Sequence, residues 1–160
     1  MIGATAPRLV SLNVGMPRDV EWQGRTVRTG TWGKPVPGAR MVRRLNIDGD
    51  GRGDLLGHGG INRAVYVYQL DSYRYWAQQL GRDDFECGQF GENFTVQGLP
   101  DSEVCIGGRY DISDAAFEVR IQPSARAGKA PSASCCGSRT AVPAARWAWQ
   151  HRWRGGDSAT

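Results

Sequence analysis

RAVYVYQLDSYRYWAQQLG, residues 63–81, decides the fold. Its first part, RAVYVYQL (63–70), is β-branched and aromatic, the composition of a buried strand. From Leu70 the period changes. Tyr73, Trp76, Ala77 and Leu80 recur at helical spacing, Asp71 or Ser72 can cap the first turn, and Gly81 can close the last one in the left-handed conformation. A strand running directly into one amphipathic helix is expected, with the aromatic stripe packed into the core.

Shorter strands are expected on both sides. RLVSLNV (8–14) alternates, and VEWQGRTVRTG (20–30) reads as a hairpin turning at Gln23–Gly24. GKPVPGAR (33–40) is a loop, and MVRRLNI (41–47) reads as another strand. ENFTVQGL (92–99), EVCIGGRYDI (103–112) and AAFEVRIQ (115–122) complete the set, with breaks at Gly107–Gly108 and Ser113–Asp114. Many short strands with one helix predict a mostly β barrel or sandwich. The length of 160 residues suits one domain, and 22 glycines favour tight connections over long helices.

No apolar run approaches the roughly 20 residues that span a membrane. The start, MIGATAPRLV, lacks the pattern of a signal peptide. Cys87, Cys105, Cys135 and Cys136 show no CxxC spacing, so a reducing cytoplasm is the expected setting. The net charge of +4 is uneven: residues 1–118 carry 13 basic and 15 acidic side chains, residues 119–160 seven basic and one acidic. The segment 124–160 is rich in Ala, Ser, Arg, Pro and Gly and shows no strand alternation. The expected organisation is a domain over 1–123 followed by an atypical, disordered basic tail.

The chemistry concentrates in DGDGRGDLLGHGGINRAV (48–65). As a calcium loop starting at Asp48 it fails twice, with Arg52 at position 5 and Gly59 at position 12, where oxygen ligands belong. As a nucleotide loop it lacks GxxxxGK[ST]. His58-Gly59-Gly60 is more suggestive, because glycines let backbone N–H groups approach an anion and Arg63 supplies a forked cation nearby. His58 can exchange a proton near neutrality. From the residues alone, a binding site and a plain turn both remain open.

Four runs in order, GMPRDVEWQGRTVRTG (15–30), VRRLNIDGDGRGDLLGHGGINRAVYVYQLDSYRYW (42–76), FGENFTVQGL (90–99) and VCIGGRYDI (104–112), resemble the MOSC domain family, and in particular its small stand-alone bacterial members. The resemblance covers roughly residues 8–123. It implies a mostly β, MOSC-type β-barrel with one or few helices, and the molybdenum cofactor, a pterin bearing a phosphate and a dithiolene, as ligand. It implies sulfur transfer or reduction of N-hydroxylated compounds with a partner reductase, or with a partner that sulfurates the cofactor; pyridoxal phosphate is a further family association. The implied cofactor-binding residues are His58, Gly59, Gly60, Arg63, Gly91, Glu92 and Asn93, with His58 also the catalytic proton donor and no metal ligand assigned. The anionic cofactor suits Arg63, and Asn93 carries both donor and acceptor for a pterin edge. Glu92 can bond pterin N–H groups or orient Arg63.

The resemblance breaks after Gln122-Pro123. The family's QPR-x-x-C pattern meets Ser124 and Ala127 here, and Cys135 and Cys136 fall later. A shift of coding frame, a divergent extension that returns Cys135 or Cys136 to the pocket, and a binding-only member all fit; the abrupt loss of acids and periodicity favours the first. A non-catalytic molybdopterin carrier or an inactive truncated homologue is therefore the alternative to an enzyme. RWAWQHRWRGG (146–156) interleaves Arg and Trp, but a charge run alone is weak support for nucleic-acid binding.

Overall fold

The computed structural model describes residues 6–53, 61–100 and 103–120, together with the backbone of 147–152. Chain order is β1 (Arg8–Val14), β2 (Arg18–Trp22), β3 (Arg25–Thr29), β4 (Lys34–Pro35), a 3-10 turn (Ile61–Arg63), β5 (Val65–Gln69), α1 (Leu70–Leu80), β6 (Phe94–Gln97), β7 (Arg109–Ile112), β8 (Ala115–Arg120) and β9 (Trp147–Arg152). The protein is mostly β with one α-helix, as the residue patterns predict. Seven strands form one sheet in the order β4-β1-β6-β5-β9-β8-β7, and β2 and β3 form a separate hairpin. Among the described residues the sheet does not close into the expected barrel ring. Its two ends nevertheless approach each other: β1, β6 and β7 line a cleft of about 220 Å³ through Leu9, Val96, Tyr110 and Ile112.

The strand–helix junction forms as its period change dictates. Val65, Val67, Tyr68 and Gln69 are all buried, so β5 lies in the middle of the sheet, parallel to β6 and antiparallel to β9. The helix ends at Gly81, whose left-handed backbone donates its N–H to the Ala77 carbonyl. Its start differs from expectation: Gln69 is the N-cap residue and no side chain caps the turn. The apolar stripe also fades along the helix, from buried Tyr73 to Leu80 at 56% exposure. The buried residues Ser72 and Tyr73 lie in the first turn, and Trp76 adds an indole N–H bond to the Tyr68 hydroxyl of β5 at 3.0 Å.

Three other expectations change. MVRRLNI holds no strand, only a Val42–Ile47 bridge, because the Arg43 N–H donates to the Asn46 carbonyl at 2.8 Å and turns the chain. Adjacent Arg43 and Arg44 already broke the period of two there. The 103–112 stretch keeps strand geometry only over β7, since Gly107–Gly108 makes a turn closed by Gly108 N–H on the Cys105 carbonyl at 2.9 Å. Finally, a tail without strands was expected, yet the backbone of 147–152 forms β9 and sits between β5 and β8. Trp147-Ala148-Trp149-Gln150 does alternate, a pattern that the basic composition obscures. The remaining tail residues, Ala127, Cys135 and Cys136 among them, lie outside the described residues.

The core is a sheet face. Ile47, Val65, Val67, Phe94, Val96, Phe117 and Val119 are essentially inaccessible, and Phe94 of β6 meets Phe117 of β8 edge to face at 5.4 Å. Phe117 is fully buried, so Phe117→Ala leaves a cavity that costs about 3–5 kcal/mol. Urea unfolding should show that loss as a lower midpoint with little change in slope.

Candidate functional site

Gly91-Glu92-Asn93 leads into β6, and all three fall beside the start of β5. Asn93 is buried and its groups are engaged within the protein. Its side-chain oxygen accepts the Tyr66 N–H at 3.0 Å, its amide donates to the Asn13 carbonyl at 3.3 Å, and its own backbone N–H donates to the Tyr66 carbonyl at 2.9 Å. Asn93 thus ties β1 to β5. Glu92 is 3% exposed. One carboxylate oxygen, Oε1, accepts from the Tyr73 hydroxyl, from the Gly88 N–H at 2.8 Å and from the Thr95 hydroxyl at 2.8 Å. Thr95 in turn accepts from Asn13 Nδ2 at 3.0 Å. The other oxygen, Oε2, is buried with no hydrogen-bond partner among the described residues. Glu92 therefore orients Tyr73 and Gly88, not Arg63.

Gly88 is required at that point. Its φ is +90°, and a Cβ there would lie 2.5 Å from the Gly33 carbonyl oxygen. Tyr73 sits in an aromatic nest with Tyr68, Phe85 and Phe90, at centroid distances of 5.6, 6.4 and 4.9 Å. Burial first, then the hydrogen bond to Glu92, pushes its hydroxyl well above the ordinary tyrosine range. The aromatic stripe is packing, as its helical spacing implies.

The glycine-rich loop before His58 has a structural part that ligand spacing does not reveal. Asp48 pairs with Arg43 at 2.6 and 2.9 Å, and that contact holds its carboxyl below the usual range. Asp50 accepts the Gly15 N–H at 3.0 Å, and Gly51 donates to the Gly15 carbonyl at 2.9 Å. Gly53 lies so close to β3 that a Cβ would sit 2.6 Å from Thr29 Cα. Arg52 is half-buried, and its Nη2 donates to the carbonyls of Arg63 at 2.9 Å and Ala64 at 3.4 Å. Burial lowers the Arg52 pKa, opposed by Tyr66 and Asp50.

Arg63 itself, in the 3-10 turn, offers a different picture. Its carbonyl is held, but its guanidinium makes no hydrogen bond or ion pair among the described residues. The structure brings Arg63, Asp50, Arg52, Tyr66 and Asn93 around the first residues of β5. His58, Gly59 and Gly60 lie outside the described residues. Sequence reasoning missed Asp50 and Arg52, although the cation that spoiled the calcium pattern was the available signal. Among the described residues no group of three or more His, Cys, Asp or Glu side chains could hold a metal, and Cys87 and Cys105 are half-buried and form no disulfide with each other. No helix is long and apolar enough to cross a membrane among the described residues.

Residues 54–129 match the family model of the MOSC domain. The chain belongs to the MOSC domain family. The uncharacterized protein YflK of Bacillus subtilis is 40% identical over 111 residues, which is 69% of this chain and 50% of YflK. A protein of Gibberella moniliformis named Reductase is 40% identical over 60 residues, 36% of this chain and 11% of that protein. The crystal structure of YiiM from Geobacillus stearothermophilus superposes with a TM-score of 0.52 at 30% identity, covering 71% of this chain and 49% of that one. The chain thus spans half or less of the length of these MOSC relatives.

Burial raises the Asp50 carboxyl pKa above the ordinary aspartate value, with the bonds from Gly15 and Asn93 opposing. A folded-state pKa above the unfolded one means the native state binds the proton more tightly, so this contribution to stability is present at low pH and is lost as pH rises through the folded value. Unfolding of the parent and of Asp50→Asn, compared from pH 3.8 upward, should show a stability difference that moves in favour of the variant as pH rises. A difference independent of pH contradicts that assignment.

Proposed function

We propose that this chain binds the molybdenum cofactor through the 54–63 segment and reduces N-hydroxylated compounds, with electrons from a separate reductase. The observation that carries the reading is the Arg63 guanidinium: its backbone is fixed, while its five donors have no described partner. A phosphate-bearing ligand fits such a group bidentately. Asn93 enters this reading as the residue that fixes Tyr66 beside Arg63, not as a reader of pterin edges, because its amide is already engaged. Gly91 and Glu92 support it through the Tyr73 and Gly88 contacts.

When bound, the cofactor supplies a metal that changes by two electrons and accepts oxygen. Reduction of R–NHOH to R–NH2 consumes two electrons and two protons and releases water. His58 is the proton donor in this reading, since imidazole titrates near neutrality. The sequence carries no iron–sulfur cysteine pattern, so the electrons come from elsewhere. The name Reductase of the Gibberella moniliformis relative, most of which lies beyond the matched stretch, supports that division. Sulfur transfer is the weaker reading, because Ala127 stands where the family cysteine is expected and carries no thiol. The same alanine favours a second reading, a carrier that binds the cofactor without turnover.

Elemental analysis of protein purified from cells replete in the cofactor should find molybdenum, with a loss on the order of tenfold or more in Arg63→Ala, as expected where a charge-assisted bidentate contact is removed. Metal-free protein contradicts the reading. Retained molybdenum without reduction of a hydroxylamine by reduced viologen selects the carrier; an active parent and an inactive His58→Ala that keeps its metal select the enzyme.

A further inference from the structure

Residues 53 and 63, which flank the 54–60 stretch, are held by residues that belong to no ligand-binding pattern. At its start, Gly53 is packed against Thr29, Asp50 holds the Gly15 N–H, and Gly51 donates to the Gly15 carbonyl. At its end, the guanidinium of Arg52 donates to the carbonyls of Arg63 and Ala64. Two residues further on, both backbone groups of Tyr66 are held by Asn93. Main-chain groups of residues 63, 64 and 66 are therefore fixed by side chains reaching from the 52 loop and from the 93 segment. The Arg63 side chain has no such contact among the described residues.

Two arginines in one place divide the work. A guanidinium half removed from water, its charge opposed by burial, is a costly way to hold two carbonyls. A neutral donor does the same at lower cost. What Arg52 adds is reach: one nitrogen, Nη2, bonds the carbonyls of two successive residues and so fixes the direction of the chain at Arg63.

We infer that Arg52 is a positioning residue: it holds the backbone at Arg63 and Ala64 so that the Arg63 guanidinium stands ready for an oxyanion. The inference rests on the reading of Arg63 as the anion-binding group, and it deepens that reading by naming what pre-organises it. Arg52 need not touch the ligand. Its removal costs affinity because the backbone at Arg63 must then be ordered at the moment of binding.

Titration calorimetry with inorganic phosphate, run beside thermal unfolding on the full chain, separates the two claims. The expected results are loss of phosphate binding in Arg63→Ala and a weakening on the order of tenfold in Arg52→Ala, as ordering costs of this kind predict. Arg52→Lys, which keeps charge but not the fork, should fall between. Added guanidinium at millimolar concentration should restore phosphate affinity to Arg52→Ala, and not to Arg63→Ala, without raising the melting temperature. If Arg63→Ala loses binding while Arg52→Ala and Arg52→Lys bind phosphate as the parent does, the positioning role is overturned and the Arg63 site stands. If Arg63→Ala itself binds normally, both fall. Should Arg52→Ala fail to fold, the lysine variant decides: parent-like affinity overturns the inference, and weakened affinity at an unchanged melting temperature supports it.

Discussion

A single carboxylate oxygen, Glu92 Oε1, joins three parts of the chain. It receives the Tyr73 hydroxyl from α1, the Gly88 N–H from the loop after it, and the Thr95 hydroxyl from β6. Thr95 extends the connection to Asn13 of β1. Burying a carboxylate is expensive unless donors surround it, and here they come from elements with no other reason to meet at one point. Tyr73 is the most deeply engaged helix residue on this sheet, and Trp76 adds a bond to the Tyr68 hydroxyl. Asn93, the next residue, repeats the device with backbone groups by holding Tyr66 and Asn13.

From that anchor the candidate site follows as a consequence of position. Asn93 fixes the first residues of β5 from one side, and Arg52 fixes the residues just before them from the other. The GEN segment and the DGDGRG loop thus act on the same short piece of backbone, although Glu92 lies forty positions after Arg52 in the sequence. Arg63 stands where the two supports meet. The loop glycines serve close packing more than ligand approach: Gly53 and Gly88 each leave no room for a side chain against a neighbouring backbone. Rigid support under a cation with no partner among the described residues is the arrangement the proposed phosphate site requires.

Much of this was legible in the residues. The change from a period of two to a period of 3.6 at Leu70 marks β5 and α1 directly, and Gln23–Gly24 marks the hairpin turn, where both residues take positive φ. That Gly91, Glu92 and Asn93 form a distinct motif was legible as well. Their contacts were not, because a carboxylate beside a glycine reads alike whether it faces a ligand or the core. Asp50 and Arg52 were obscured for a related reason: testing a loop against ligand spacings asks what each side chain can bind outside the protein, not which carbonyl it can reach inside. The strand at 147–152 was missed because basic composition outweighed a four-residue alternation.

The most direct measurement is an anomalous difference map at the molybdenum edge, from crystals of the chain purified out of cells replete in the cofactor. The account predicts one strong peak near Arg63, at the start of β5, with the ligand's phosphate on that arginine. A peak in the cleft between β1 and β7, or no peak in crystals of well-folded protein, would contradict it.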